Sequence, residues 1–308
     1  MTKPFLTYEQ QIDKLVNEKN LIVEDHEYAI SILKKVSYFA LICGYKDPFK
    51  NLTTKKYNDG ISINHIIELY KFDEMLREQF LKYMMKIERN IRSLISYYFC
   101  EKFGDDQKGY LDVNNYDYTS WKKIQINEFV GILSDLTSSN NHKYISHHRS
   151  QHNNVPLWVL TNAMTFGQIS KMYTFLQQST QSSVAKNFPG IMSPDLAKML
   201  GSMTKYRNVC AHGERLFSFR IQDGIPNMDL HKKMNIPQKG QQYMFGKNDL
   251  FAVVIMLKYL LYPNDFTVFI ENLKAIIQQY TTNLYSLNTK TLLTDMGFPE
   301  SWEDVSKF

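Results

Sequence analysis

The sequence predicts an all-α protein, and three observations support this prediction. Helix-capping residues recur along the chain, and the apolar residues between them recur at spacings of three and four. Only 13 Gly and 9 Pro occur in 308 residues, which is little turn material for an all-β fold. The chain is 44% hydrophobic and 14% aromatic, enough to bury a large core. We expect a single helical domain over residues 1–308.

The first predicted helices form an N-terminal helical region over residues 1–50. Thr7, followed three positions later by Gln10, fits a capping box that opens the first helix. Asp25 can cap a second helix, for which Gly44 is the predicted stop.

The longest periodic segment starts at Ser62 and runs to a predicted stop at Gly104. Its apolar residues at threes and fours are Ile66, Leu69, Tyr70, Phe72, Leu76, Phe80, Tyr83, Met84, Ile87, Ile91, Leu94 and Ile95. About forty residues of continuous helix would span about 60 Å. The segment is therefore either a long interface helix or a kinked one.

Further helices are predicted in the C-terminal two thirds of the chain. They lie near 121–136, over 156–178 with Pro156 at the start, over 249–261 and over 264–284. Ser193 and Pro194, as N-cap and first helical residue, open a helix over 193–215. An irregular segment is expected near 217–246, with a short hairpin around the sequence QDGIPN.

Composition and charge narrow the classes of function. The formal net charge of +5 favours an acidic partner, although a lysine-rich surface is sufficient to explain it. Cys43, Cys100 and Cys210 lie far apart, so neither a disulfide framework nor a thiolate zinc site is expected. The first residues lack a secretory h-region, and the most apolar run, Leu250–Tyr262, is too short for a bilayer. We expect a cytoplasmic protein without a membrane partner.

The histidine-rich stretch SSNNHKYISHHRSQHNN, residues 138–154, is predicted to be a loop or a weak helix extension. His148 and His152 have the i,i+4 spacing of metal ligands, but no carboxylate or cysteine lies nearby to complete a site. We therefore expect a solvated or RNA-contacting loop there, and no metal or cofactor.

The stretch KYRNVCAHGERLF, which begins at Lys205, combines an arginine, an asparagine and a histidine on one predicted helix. Asn208 and His212 are i,i+4 neighbours on a polar stripe with Lys205 and Arg215, so one can orient the other by a hydrogen bond. Arg207 lies about 140° from His212 on an ideal helix. Either the arginine side chain wraps round the helix, or two copies of the helix meet and share a site, which requires a dimer.

This motif, R-N-x-x-x-H, resembles that of the Abi-like abortive-infection proteins of the HEPN ribonuclease superfamily. Five other segments resemble the family in the same order: KPFLTYEQQIDKLVNEKNLIVED, YFALICGYKDPF, LYKFDEMLREQFLKYMMKIERNIRSLISYYF, PLWVLTNAMTFGQISKMYTFL and MGFPESWED. The resemblance covers nearly the whole chain. One departure is Asn162, which stands where the family pattern has an acidic residue.

The resemblance implies a HEPN-type helical bundle with additional N- and C-terminal helices, its core lying over 60–308 and its motif helix over 193–215. It also implies a homodimer with a metal-independent RNA-cleaving site where two motif helices meet. The implied role is a ribonuclease toxin in phage defence or in a toxin–antitoxin pair, held off by an antitoxin RNA or protein.

Metal-free RNA cleavage needs a proton acceptor, a proton donor and positive charge on the phosphate. An imidazole suits the proton transfers, so His212 is the candidate general acid or base. A guanidinium matches two phosphate oxygens, so Arg207 is the candidate phosphate clamp. Asn208 would orient His212 or the phosphate, and Lys205 and Arg215 would hold neighbouring phosphates.

Arg92 is a further candidate for RNA contact, on weaker grounds. The run KIERNIRS places it on the long predicted helix, where an ion pair with Glu88 or a solvated surface is the simplest explanation. Arg92 also lies where the family pattern has an arginine, and the resemblance therefore implies an RNA-binding role.

Two other classes of function remain open from the sequence. One is a non-catalytic RNA-binding protein that uses the motif for phosphate recognition and binds a cognate small RNA. The other is a helical interaction protein whose polar stripe is solvated or pairs across an interface. The intact motif favours the ribonuclease, and the modest charge disfavours a protein devoted to broad RNA binding.

Overall fold

A computed structural model describes residues 4–283 and 289–308, and helices packed around one long central helix dominate it. The helices are α1 (Tyr8–Asp13), α2 (His26–Val36), α3 (Ile63–Phe103), α4 (Gln107–Leu111), α5 (Lys123–Ser138), α6 (Lys143–His152), α7 (Leu157–Leu160), α8 (Phe166–Phe175), α9 (Gln178–Ala185), α10 (Ser193–Ala211), α11 (Asp229–Lys233), α12 (Leu250–Leu260), α13 (Pro263–Asn283) and α14 (Thr289–Met296). Strands β1 (Gln238–Lys239) and β2 (Gln242–Tyr243) pair in an antiparallel hairpin. The all-α prediction is confirmed.

The long periodic segment is the central helix, α3, which runs without interruption for 41 residues. Both predicted ends are confirmed: the Ser62 N–H donates to Nδ1 of His65 at 2.9 Å, and Gly104 takes a φ of +83°. Helices α7, α8, α9, α10, α12 and α13 all contact α3. Buried residues extend along it from Ile63 to Phe99, so the segment is a core helix.

The N-terminal region confirms both predicted caps and corrects one predicted stop. Thr7 forms its capping box, and Asp25 accepts a hydrogen bond from the Tyr28 N–H at 2.8 Å. The second helix ends at Ser37, which has a φ of +70°, and the chain then forms the π-helical turn Phe39–Cys43. Gly44 has a φ of −71° and is therefore not the left-handed stop that was predicted.

The single helix predicted over 156–178 is wrong. The chain forms α7, turns, and starts again as α8 and α9. Thr165 explains the restart, because its hydroxyl accepts from the Gln168 N–H at 3.2 Å while the Gln168 side chain accepts from the Thr165 N–H at 2.8 Å.

The histidine-rich stretch forms the short helix α6, which ends at Asn153 with a φ of +50°.

The segment after the motif is largely irregular, as predicted, but its hairpin lies at 238–243 and not at QDGIPN. Gly240 supplies the left-handed residue of this turn, with a φ of +65°. The most apolar run forms α12, which Asp249 caps by accepting from the Ala252 N–H at 3.0 Å. Nearly all of α12 is buried in the bundle. Within the residues that the structure describes, no helix is long and apolar enough to cross a membrane.

Candidate active site

The motif helix α10 ends just before His212. Gly213 takes a φ of +68°, and the N–H groups of Gly213 and Glu214 donate to carbonyls in the last turn at 3.3 and 3.0 Å. These two bonds form a Schellman motif, which stops the helix at Ala211 and not at 215 as predicted. His212 is therefore the C-cap residue, at the point where the chain leaves the helix.

The start of α10 also differs from the prediction. Met192 occupies the N-cap position and Ser193 is the first helical residue. The Ser193 hydroxyl lies 3.3 Å from that of Ser182 in α9, and the Tyr173 hydroxyl donates to the Ser193 carbonyl at 3.3 Å. These contacts fix the start of the motif helix against its neighbours.

Arg207 reaches from α10 to a buried carboxylate on α3. Its Nε lies 3.4 Å from Oε2 of Glu88, and its side chain is 30% exposed. The other oxygen of Glu88, Oε1, accepts a hydrogen bond from Arg92 at 2.5 Å. Only 5% of the Glu88 side chain is exposed. One buried acid therefore pairs with two arginines, with Arg92 through a hydrogen bond and with Arg207 through an ion pair in which neither Nε nor Oε2 makes a hydrogen bond within the described residues. We call this group the Glu88 clamp (Glu88, Arg92 and Arg207).

Arg92 is the more covered arginine of the Glu88 clamp. Its i,i+4 ion pair with Glu88, expected from the sequence, is confirmed. The same guanidinium donates to the Met164 carbonyl at 2.7 Å, in the turn between α7 and α8. Asn162, in that same turn, is exposed and donates to the Trp158 carbonyl at 2.8 Å. RNA contact by Arg92 stays a prediction.

Asn208 and His212 are the exposed members of the motif. The predicted hydrogen bond between their side chains is not formed: across residues 4–283 and 289–308 neither side chain has a hydrogen-bond partner. They are linked only through the backbone, where the His212 N–H donates to the Asn208 carbonyl at 2.9 Å. Both side chains are thus uncommitted and accessible.

Lys205 and Arg215, the two predicted phosphate contacts, lie in different surroundings. Lys205 is 3.8 Å from Asp223, and both side chains are largely exposed, so this ion pair is weak. Arg215 lies beyond the end of α10 and donates to the Gly44 carbonyl at 2.7 Å, with Asp47 at 3.3 Å. Because the helix ends before it, Arg215 does not belong to the predicted stripe. It connects the end of the motif to the N-terminal region.

A buried carboxylate on α3 fixes the chain that follows His212. Asp73 accepts hydrogen bonds from the backbone N–H groups of Leu216 and Phe217 at 2.8 and 2.7 Å. It also accepts from Arg77 at 2.8 Å and from the Tyr45 hydroxyl at 2.7 Å. Burial raises the pKa of Asp73, while these four donors favour its ionised form. The segment after the motif is therefore anchored to the central helix.

The cysteine of the motif is excluded as a nucleophile by its surroundings. Cys210 is a free, buried thiol. Burial, and secondarily the charge of Asp73, raises the pKa of this thiol to about 12. The thiolate form is therefore scarce near neutral pH.

Sequence reasoning missed Asp73 altogether and assigned Glu88 only to Arg92. The position of Asp73 and Glu88 in the sequence was the available signal. Each acid lies four residues after one apolar residue of the long helix and three residues before another, which places it on the apolar face. An acid on the buried face of an amphipathic helix needs partners from other elements. Which partners it finds is not written in the helix itself.

The histidines of α6 lie close together without forming a metal centre. The ring centroids of His147, His148 and His152 are separated by 5.3 to 6.1 Å. No group of three or more His, Cys, Asp or Glu side chains in the described part of the chain is arranged to hold a metal ion.

We expect Glu88→Gln to lower the free energy of unfolding by about 1–3 kcal/mol, because the charge-assisted hydrogen bond to Arg92 and the ion pair with Arg207 are weakened. Partial exposure of Arg92 and Arg207 lets water replace part of the interaction, which favours the lower end of this range. Urea denaturation measures the change. Glu78→Gln, at an exposed position of the same helix, is the matched control and should shift stability by less than about 0.5 kcal/mol. An equal loss of unfolding free energy in the two variants would show that Glu88 does not stabilise the fold through these arginines.

Comparison with known proteins identifies the family. No curated protein and no solved structure matches the chain. One family model, described as "Abi-like protein", matches residues 31–218. This range contains the Glu88 clamp, the whole of α10 and the anchored segment after His212. Because the match covers more than half of the 308 residues, the chain belongs to the Abi-like protein family.

Proposed function

We propose that this Abi-like protein is a metal-independent endoribonuclease of the HEPN type, acting as a toxin in abortive infection or in a toxin–antitoxin pair. The observation that carries the proposal is the state of the motif side chains. His212 and Asn208 are exposed and uncommitted at the end of α10, which is anchored on both sides of the motif. An abortive-infection role fits the family.

In the reaction proposed for this site, the attacking group belongs to the RNA strand that is cleaved. The ribose 2′-oxygen attacks the adjacent phosphorus and the bond to the 5′-oxygen breaks, which leaves a 2′,3′-cyclic phosphate and a free 5′-hydroxyl. The proton lost from the 2′-hydroxyl needs a base, and the departing 5′-oxygen needs an acid. His212 would perform one of these transfers, with Asn208 holding the imidazole or the phosphate.

Arg207 would bind the phosphate during this reaction. Its Nε faces Glu88, while its terminal nitrogens make no hydrogen bond within the described residues. A guanidinium held near Glu88 by charge attraction can still present two N–H groups to two phosphate oxygens. The Glu88 clamp would thus keep the arginine at its partly exposed site.

The proposed site needs two copies of the chain. Positions 207 and 212 would lie about 140° apart on an ideal helix, and His212 is the C-cap residue that follows α10. One copy of the chain is therefore not expected to present both side chains in one direction. Two copies of α10 that meet at a twofold axis would bring Arg207 of one copy to His212 of the other. A homodimer is therefore part of the proposal.

The test is to incubate the purified protein with single-stranded RNA and transfer RNA in EDTA, and to identify the fragment ends. We expect cleavage that persists in EDTA and leaves 2′,3′-cyclic phosphate ends. Cleavage abolished by EDTA, or fragments that end in 3′-hydroxyl groups, would contradict the mechanism. RNA that is bound but left intact by a preparation free of nucleic acid would favour a non-catalytic RNA-binding protein.

A further inference from the structure

A second candidate site lies in the N-terminal region, away from the motif. An open pocket of about 560 Å³ is lined by residues of α1, of the π-helical turns Lys14–Glu18 and Phe39–Cys43, and of the loop that joins Lys50 to Tyr57. We call it the N-terminal pocket. Its volume falls in the range of small-molecule sites.

The N-terminal pocket is strongly positive. Five lysines line it: Lys14, Lys19, Lys46, Lys50 and Lys55. Within residues 4–283 and 289–308 none of them forms a salt bridge, and no acidic side chain belongs to the lining. Burial, and then the charges of Lys46 and Lys19, lowers the pKa of Lys50. Asp47 is a nearby acid that opposes this shift, but it is paired with Arg215 and does not line the pocket. The excess of cations favours an anion between them.

Aromatic and polar groups complete the lining. Phe39 is 79% exposed at the pocket, and Tyr38 lies beside it in the lining. Tyr57 is 2% exposed, yet its hydroxyl has no hydrogen-bond partner, and neither has the buried Oε1 of Gln11. A buried hydroxyl and a buried amide oxygen without partners are expensive unless a ligand satisfies them.

We propose that the N-terminal pocket binds a nucleoside phosphate, either free or as part of an RNA strand. The lysines would neutralise the phosphate, and the exposed ring of Phe39 would stack on the base. The Tyr57 hydroxyl and the Gln11 Oε1 are closed to solvent, so they would pair with the polar edge of the base after a small shift of the lining side chains. An anion alone would leave the aromatic ring and these groups without partners, and this argues for a ligand that carries both a base and a phosphate.

This proposal does not depend on ribonuclease activity, because the pocket shares no residue with the motif. The two regions are nevertheless joined. Lys46 lines the pocket, while its neighbours Gly44 and Asp47 hold Arg215, three positions after His212. A ligand in the pocket would therefore contact the segment that braces the end of the motif.

Isothermal titration calorimetry at low salt tests the assignment, with adenosine monophosphate, adenosine and inorganic phosphate as separate probes. We expect the nucleotide to bind more tightly than either part. Lys46→Glu and Phe39→Ala should each weaken it by about tenfold or more. Lys35→Glu, at an exposed lysine of α2 outside the pocket, is the matched control. Lys35→Glu should bind as the wild type does.

A competition experiment with a 2′-O-methyl hexanucleotide decides whether the ligand is a free nucleotide or part of an RNA strand. The proposed cleavage chemistry cannot cut this oligonucleotide, because it lacks a free 2′-hydroxyl. Displacement of the monophosphate by this strand at lower concentration points to RNA, and failure to displace it points to a free nucleotide. Absence of nucleotide binding, phosphate that binds as tightly as the monophosphate, or equal losses in Lys35→Glu and Lys46→Glu would each overturn the proposal.

Discussion

Replacing His212 with alanine is expected to lower the rate of RNA cleavage by about 10²- to 10⁴-fold, the contribution of one general acid or base. The fold should be unaffected, because the imidazole is exposed and makes no hydrogen bond within the described residues. The free energy of unfolding should therefore change by less than about 0.5 kcal/mol. Single-turnover cleavage and urea denaturation measure the two quantities. His147→Ala, at an exposed histidine of α6, is the control and should retain the wild-type rate.

The His212→Ala protein can also test whether two copies of the chain share one active site. Arg207→Ala should also be inactive, because the phosphate clamp is lost. Refolding the Arg207→Ala and His212→Ala chains together should restore part of the activity, since a mixed dimer contains one site with an intact arginine and an intact histidine. No recovery in verified mixed dimers would argue against a site shared between copies, and a wild-type rate for either variant alone would contradict the roles assigned here.

Asp73→Ala is expected to have the largest effect on stability, about 3–5 kcal/mol, the usual loss when a buried ion pair is broken. The substitution leaves the Arg77 guanidinium without its carboxylate and two backbone N–H groups, of Leu216 and Phe217, without acceptors. The Asp73 side chain is fully buried and that of Arg77 is 6% exposed, so water cannot easily replace these bonds. Urea denaturation followed by circular dichroism measures the loss.

A surface ion pair on the same helix is the matched control for Asp73. Glu68 lies 2.9 Å from Lys71, and both side chains are almost half exposed. Glu68→Ala should therefore lower the free energy of unfolding by no more than about 1 kcal/mol. Asp73→Asn should fall between the two, because its amide keeps one acceptor oxygen but turns an N–H₂ group towards a donor. Comparable losses for Asp73→Ala and Glu68→Ala would show that the buried carboxylate is not an anchor.

Features that depend on neighbours within one helical turn could be predicted from the sequence. The capping box at Thr7, the helix start at Ser62, the cap at Asp25 and the stop at Gly104 are examples, because each is formed by a side chain or a backbone conformation next to the helix end. The Glu88–Arg92 pair belongs to the same class. In such cases the partner is found three or four residues away, whatever the rest of the fold does.

The errors concern helix ends that a periodic pattern does not mark. Apolar spacing continues through Ser37 and through the turn before Thr165, so both stretches were predicted as unbroken helices. The motif helix was predicted to run to residue 215, although the left-handed conformation of Gly213 ends α10. Glycine and short polar side chains are compatible with both the continuation and the end of a helix, and the surrounding packing selects one of the two.

The sequence by itself determined that the chain is helical, where its longest helix begins and ends, and that an R-N-x-x-x-H motif lies on a helix. Only the tertiary structure decided how that motif is held. Glu88 meets Arg207 from another helix, and Asp73 bonds to the Leu216 N–H across 143 positions of the chain. The N-terminal pocket likewise gathers lysines from separate turns. Such contacts depend on how the helices pack, because buried charges take whichever partners the packed core brings within reach.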